Sequence, residues 1–179
     1  MGPVDLEACL DSLVVIVDKR EQPSERAERR YQSFGSPYRR ATLNYGDYAY
    51  NFQKPDGEWL FNENETISAP VVIERKMDLA ELSGCLCQQR DRFEREFQRA
   101  RDHGASVYLL VEDATWENLI NGRYKTKFHP HAYEASLLAF IARYDIKLIF
   151  CKKETSGKLI RDILFRELKE RLERGIYDE

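Results

Sequence analysis

The segment Ile73-Glu74-Arg75-Lys76 places an acid and a lysine two residues apart after an apolar run. In a strand, side chains alternate between faces, so Glu74 and Lys76 share one face and Arg75 points to the other. A carboxylate beside an ammonium at a strand end suits metal-assisted hydrolysis. The acid holds a divalent cation, and the lysine orients a water or offsets charge on a phosphate. Two further acid-bearing sites follow the same plan. Gly46-Asp47-Tyr48 lies between two strand-like stretches, where Asp47 could meet Glu74 across a sheet. Val17-Asp18-Lys19-Arg20-Glu21 ends the first apolar run. Two carboxylates and a backbone carbonyl make a hard-oxygen set of the kind Mg2+ takes. The plainer readings are a charged strand end for Glu-x-Lys, a turn or bulge for Gly46-Asp47, and a strand emerging into solvent for Asp18.

The chain must hold these ends together, and its pattern shows how. Leu13–Val17, Val71–Lys76, Ser106–Val111 and Ile146–Phe150 read as strands, most of them continuously apolar and so buried on both faces. Residues 41–45 and 48–52 alternate aromatic and polar positions, and Trp59-Leu60-Phe61 pairs back across the Pro55-Asp56-Gly57 turn. A short helix is expected between Pro23 and Gly35. Leu79, Leu82, Leu86, Phe93, Phe97 and Ala100 recur at helical spacing, which predicts one long helix over 78–103 closed by Gly104. Further helices are expected over 114–120, 131–144 and 156–174. Helices alternate with strands in the second half, and the first half is hairpin-like. The fold class that follows is α/β, a mixed central sheet flanked by helices on both faces.

In order, Val15-Ile16-Val17-Asp18-Lys19-Arg20-Glu21, Leu43-Asn44-Tyr45-Gly46-Asp47-Tyr48 and Val72-Ile73-Glu74-Arg75-Lys76 resemble the three motifs of XPF-type structure-specific endonucleases. That family belongs to the restriction-endonuclease-like PD-(D/E)XK class. The resemblance spans about residues 13–150. It implies metal binding by Asp47 and Glu74, catalytic roles for Asp18, Asp47, Glu74 and Lys76, and supporting roles for Arg20, Glu21 and Arg75. The family places an aspartate four residues beyond the motif lysine. Ala80 stands there in this chain, and a one-residue insertion makes Glu81 the equivalent, in step with Leu82-Ser83-Gly84. Larger relatives append tandem helix-hairpin-helix modules. Residues 151–179 offer one helix instead, so the expected organisation is a lead-in at 1–12 and a single nuclease domain over 13–179.

The resemblance implies an endonuclease using Mg2+ or Mn2+ on branched or structured DNA, in repair or recombination. The alternatives are an inactive nuclease-like DNA-binding or scaffold subunit, and an RNA-directed nuclease. One or two metals stay open, with Asp18 available to a second. Arg90 and Arg92 on the 78–103 helix, and Arg123, Lys125 and Lys127 in the basic, aromatic 121–129 loop, are candidate DNA contacts. Asp91/Arg95 and Arg92/Glu96 also fit solvated i,i+4 ion pairs, and the loop fits a plain surface loop. His129-x-His131 lacks further ligands, so zinc is not expected. The stripe Ile160, Ile163, Leu164, Leu168 and Leu172 reads as core, with a homodimer contact there or on the 131–144 helix as the sharper option.

Composition is compatible with all of this. The 179 residues carry 28 Lys+Arg against 31 Asp+Glu, a net charge of −3, which excludes a polycationic DNA coater but not local phosphate grip. Lys19–Arg40 holds seven Lys/Arg against three Glu. No apolar run reaches membrane length. The first residues lack a basic stretch followed by an apolar one, so secretion is not expected. Four cysteines without a CxxC pair fit a reducing, cytoplasmic or nucleoid-associated setting.

Overall fold

The computed structural model describes residues 2–178. Helix α1 (Pro3–Asp11) leads into β1 (Val14–Asp18), followed by α2 (Glu25–Gln32), β2 (Tyr38–Leu43), β3 (Tyr48–Asn51), β4 (Thr66–Ile67) and β5 (Val71–Lys76). Then come α3 (Leu79–Leu86), α4 (Arg90–Asp102), β6 (Ser106–Glu112), α5 (Trp116–Ile120), α6 (Pro130–Tyr144), β7 (Lys147–Cys151) and α7 (Lys153–Glu173).

The strands form one sheet in the order β4-β2-β1-β3-β5-β6-β7. β5, β6 and β7 run parallel, as the alternation of helix and strand requires. The first half departs from the hairpin expected: β1 lies between β2 and β3, parallel to one and antiparallel to the other. A smaller hairpin does form downstream. Lys54 N–H donates to Glu58 O at 2.8 Å and Leu60 N–H to Phe52 O at 3.0 Å. The buried Asn51 side chain accepts the N–H groups of Phe52 and Phe61, which closes this loop.

Two apolar layers cover the sheet. One face carries Leu79, Leu82, Phe93, Phe97, Tyr133, Leu137 and Phe140 from α3, α4 and α6. The other carries Cys9, Ala27, Tyr31, Ile160, Leu164, Leu168 and Leu172 from α1, α2 and α7. Four residues of the terminal stripe, Ile160, Leu164, Leu168 and Leu172, are therefore core of their own domain, and Ile163 is half-buried beside them. The expected lead-in is the helix α1, which packs on α7. α7 and α2 approach so closely that a Cβ on Gly157 would lie 1.9 Å from Ser33 Oγ and 2.3 Å from the Arg30 carbonyl.

The expected single helix over 78–103 is two. The ladder breaks at Cys87 (φ −115°, ψ −92°), and α4 restarts at Arg90. No glycine or proline occupies 87–89. The break sets Gln89, Arg92 and Glu96 on one face of α4 and keeps Phe93, Phe97 and Ala100 in the core. Among the described residues no helix is long and apolar enough to cross a membrane.

Candidate active site

β3 runs against both neighbours, and its first residue, Tyr48, is in register with Val17 near the end of β1 and with Ile73 in the middle of β5. Asp47 sits at that junction. Its N–H donates to Ile73 O at 2.9 Å, its carbonyl accepts Asp18 N–H at 2.9 Å, and its Oδ2 accepts Arg75 N–H at 2.7 Å. Gly46 makes the turn possible twice over. Its φ is +77°, and a Cβ would lie 2.7 Å from Val72 Cβ.

Beside Asp47, Lys76 Nζ donates to Glu74 Oε1 at 2.6 Å, and both side chains are nearly buried. Arg20, Glu21, Asp47, Glu74, Lys76, Cys85, Gln89, Arg92, Phe93 and Glu96 line a cavity of about 200 Å³ over this pair. Four of these residues are acids and three are cations, so the fully ionised cavity has an excess of negative charge.

Burial is the main force on both acids. It pushes the Asp47 carboxyl up to about 8, with the Glu74 charge adding to the rise and Lys76 opposing it. Burial likewise raises Glu74 against the pull of Lys76. Burial works against the Lys76 ammonium, but Glu74 and then Asp47 outweigh it, so its pKa is raised. Lys76 therefore keeps its proton through the physiological range. Burial also raises the Cys85 thiol, leaving it a poor nucleophile.

On the opposite face Arg75 joins a buried ionic network. Its Nη1 lies 3.3 Å from Glu112 Oε2, and Glu112 also pairs with Arg26 and Arg30. Glu21 Oε1 accepts Tyr48 Oη–H at 2.6 Å and pairs with Arg30, while Tyr48 Oη accepts Arg30 Nε–H at 2.8 Å. This network fixes α2 under the ends of β3, β5 and β6.

A family model described as the ERCC4 domain matches residues 17–163. The chain belongs to the ERCC4 domain family. Its fold is that of XPF from Aeropyrum pernix, with a TM-score of 0.61 at 19% identity over 92% of this chain and 69% of that one. XPF from Aeropyrum pernix in a complex with DNA gives 0.59 at 21% identity over 88% and 65%. This chain thus spans about two thirds of the length of those two. No curated protein matches it.

Within this ERCC4 domain the residues expected at the site separate into groups. Arg20, Glu21, Asp47, Glu74, Lys76 and Arg92 come together at the cavity. Asp18 does not line it. Its Oδ1 accepts Arg20 N–H at 2.7 Å and Nε–H at 2.8 Å, and its Oδ2 accepts Leu43 N–H at 2.9 Å and Arg20 Nη2–H at 3.1 Å. Four bonds fill a carboxylate's acceptor sites, so Asp18 braces Arg20 rather than offering a free oxygen to a second cation. Glu81 is exposed and works at the start of α3. It accepts Met77 N–H, and Asp78 accepts Glu81 N–H at 2.8 Å, an arrangement close to a capping box.

Arg90 turns from the cavity, pairing with Glu94 at 3.0 Å and lying over the Phe140 ring. Arg123, Lys125 and Lys127 are exposed on the 121–129 loop. That loop is fastened beside α3 by Ser83 Oγ and Thr126 Oγ1, 3.0 Å apart, and by Tyr124 stacked on Tyr133. Neither helical ion pair expected at Asp91/Arg95 and Arg92/Glu96 occurs: Glu96 instead accepts Gly46 N–H at 3.0 Å. Sequence reasoning missed Glu96, Cys85 and Phe93 as cavity residues, and Arg26, Arg30 and Glu112 as the ionic network behind Glu21 and Arg75. All of these contacts join residues distant in sequence and carry no local signal.

Proposed function

We propose that this protein is a metal-dependent DNA endonuclease acting on branched or otherwise structured DNA. The observation that carries the reading is the Asp47–Glu74–Lys76 constellation at the meeting of three strand ends. Asp47 and Glu74 are buried carboxylates whose pKa values stay raised although Lys76 opposes the rise, and a divalent cation would offset the remaining negative charge. Their oxygens are the donor type that Mg2+ or Mn2+ takes. No three His, Cys, Asp or Glu side chains converge as a ready cluster among the described residues. The protein would thus provide two carboxylates and the Arg75 carbonyl, which suits a cation that keeps part of its water shell.

When bound, such an ion acidifies a coordinated water and offsets charge on the phosphate. The chain's own groups do the rest. Lys76, held protonated by Glu74, donates hydrogen bonds to the attacking water or the scissile phosphate and does not serve as a base. Arg20 is pinned as a two-pronged fork on Asp18 yet half-exposed, and keeps charge available for a phosphate oxygen. Arg92 and Gln89 line the opposite wall, and the Arg123–Lys127 loop extends the surface along the backbone of the nucleic acid. The DNA-bound XPF structure supports a DNA substrate by family likeness.

A two-fold homodimer would lengthen this surface. α6 leaves Leu138 46% exposed and α5 leaves Ile120 49% exposed, and these helices pack on each other. These exposed apolar side chains on α5 and α6 favour this outer face for pairing.

A cleavage panel of flap, fork, nicked, single-stranded and four-way DNA, each with Mg2+, Mn2+ or EDTA, tests the reading. Metal-dependent cutting of at least one junction is expected. Binding without cutting in either metal identifies the scaffold alternative, and cutting confined to RNA controls identifies the RNA-directed one.

A further inference from the structure

We propose that Glu96 is a positioning residue that holds the Gly46–Asp47 turn so that Asp47 presents its carboxylate to a divalent cation. The proposal rests on the nuclease reading above and adds a residue outside the three motifs.

The turn between β2 and β3 is gripped from two sides. The sheet takes Asn44 N–H onto Ile67 O at 2.9 Å and Asp47 N–H onto Ile73 O at 2.9 Å. Gly46 N–H lies between these and has no sheet partner, because the left-handed turn aims it out of the ladder toward α4. Glu96 Oε1 receives it at 3.0 Å. One turn further along α4, Arg99 Nε reaches Asn44 O at 3.4 Å. The helix therefore meets one donor and one acceptor of the turn with one acceptor and one donor of its own.

Glu96 also belongs electrostatically to the site. It lines the cavity with Asp47 and Glu74, and its charge bears on both Glu74 and Arg20. It does not complete a metal cluster, so its action passes through Gly46 and the next residue, Asp47. Ligand-orienting groups of this kind typically cost about 10–100-fold in metal affinity or activity when removed. Arg92 stands one turn earlier on the same face of α4. The helix that would meet a phosphate is thus the helix that sets Asp47.

The test compares wild type, Glu96→Ala and Glu96→Gln in three measurements on the full chain. These are calorimetric Mn2+ titration, kcat and KM for a junction the wild type cuts, and amide hydrogen exchange at Gly46 and Asp47. Glutamine keeps an acceptor oxygen and loses only the charge. Glu96→Ala should weaken Mn2+ binding and lower kcat by about 10–100-fold, leave KM for DNA unchanged and speed Gly46 exchange. Glu96→Gln should recover most of all three.

An alanine variant that binds Mn2+ and cuts like wild type overturns the proposal. So does a glutamine variant as impaired as alanine, which would assign the effect to charge. A well-folded wild type that neither binds Mn2+ nor cuts would instead overturn the nuclease reading itself.

Discussion

Asp47 Oδ2 accepts the backbone N–H of Arg75 at 2.7 Å, which locks the acid of one strand against the residue between Glu74 and Lys76 on another. Asp47, Glu74 and Lys76 are thereby held together by main-chain geometry rather than by flexible side chains alone. The arrangement is preorganised at the cost of keeping two carboxylates out of water.

That cost should be visible in pH dependence. The Asp47 carboxyl, raised from 3.8 to about 8 by burial and by Glu74, is destabilising to the fold once ionised. Its contribution to stability is fully present below about 3.8 and is lost as pH rises through about 8. In EDTA, Asp47→Asn should therefore melt higher than wild type at pH 9, with the gap narrowing toward pH 5. Thermal unfolding across that range checks it, and a gap that widens on acidification would contradict the assignment.

Cation binding should show the same proton. Below about pH 8 a proton competes for Asp47, so Mn2+ affinity should fall with pH and binding should release protons. Calorimetry in two buffers of different ionisation enthalpy measures that release. Buffer-independent heats at pH 7 would count against Asp47 as a ligand.

Lys76→Ala should slow cleavage by at least about 100-fold, the scale of a lost charge-stabilising donor in an active site. Mn2+ binding should persist, because a protonated lysine is no ligand. If calorimetry shows the metal site lost with the lysine, Lys76 is a brace for Glu74 instead.

Much of this constellation was legible in sequence. Glu74 and Lys76 share a face because strands alternate, and Gly46-Asp47 reads as a turn between two strands. Arg75 pointing to the opposite face also follows from alternation, and its partner Glu112 does not. The insertion of β1 between β2 and β3 was hidden, since strand order is set by packing between distant segments. The break at Cys87 was hidden for another reason. Leu86 and Phe93 stay seven residues apart, so the apolar period runs unbroken across it. The type of Asp18 suits a ligand, and its four bonds to Arg20 and Leu43 carry no local pattern that would show them in sequence. Glu96 sits four residues from Arg92, and helical spacing favoured that local partner over Gly46.

Support for the site extends to the far face. Gly157→Ala should destabilise the protein by about 1–3 kcal/mol, because α2 must retreat from α7 to admit the methyl group. Arg30, whose carbonyl takes the clash, pairs with Glu21 and Glu112, so cleavage should fall as well. Chemical denaturation of both proteins checks the first effect; equal midpoints would show that the helices separate freely.

Self-association should depend on the outer face of α6. Light scattering at micromolar concentration should give about twice the 21.1 kDa chain mass, and Leu138→Arg should return it to one. A wild type that stays near 21.1 kDa and nicks DNA at full rate would remove the dimer from the account.

Single-turnover cleavage of a DNA junction in Mg2+ by wild type, Asp47→Asn and Glu74→Gln tests the central claim most directly. Each substitution preserves volume and removes one ligand charge. The account predicts cutting by wild type, none in EDTA, and a fall to background for both variants with the fold intact by circular dichroism. Cutting at near wild-type rate by either folded variant would contradict it.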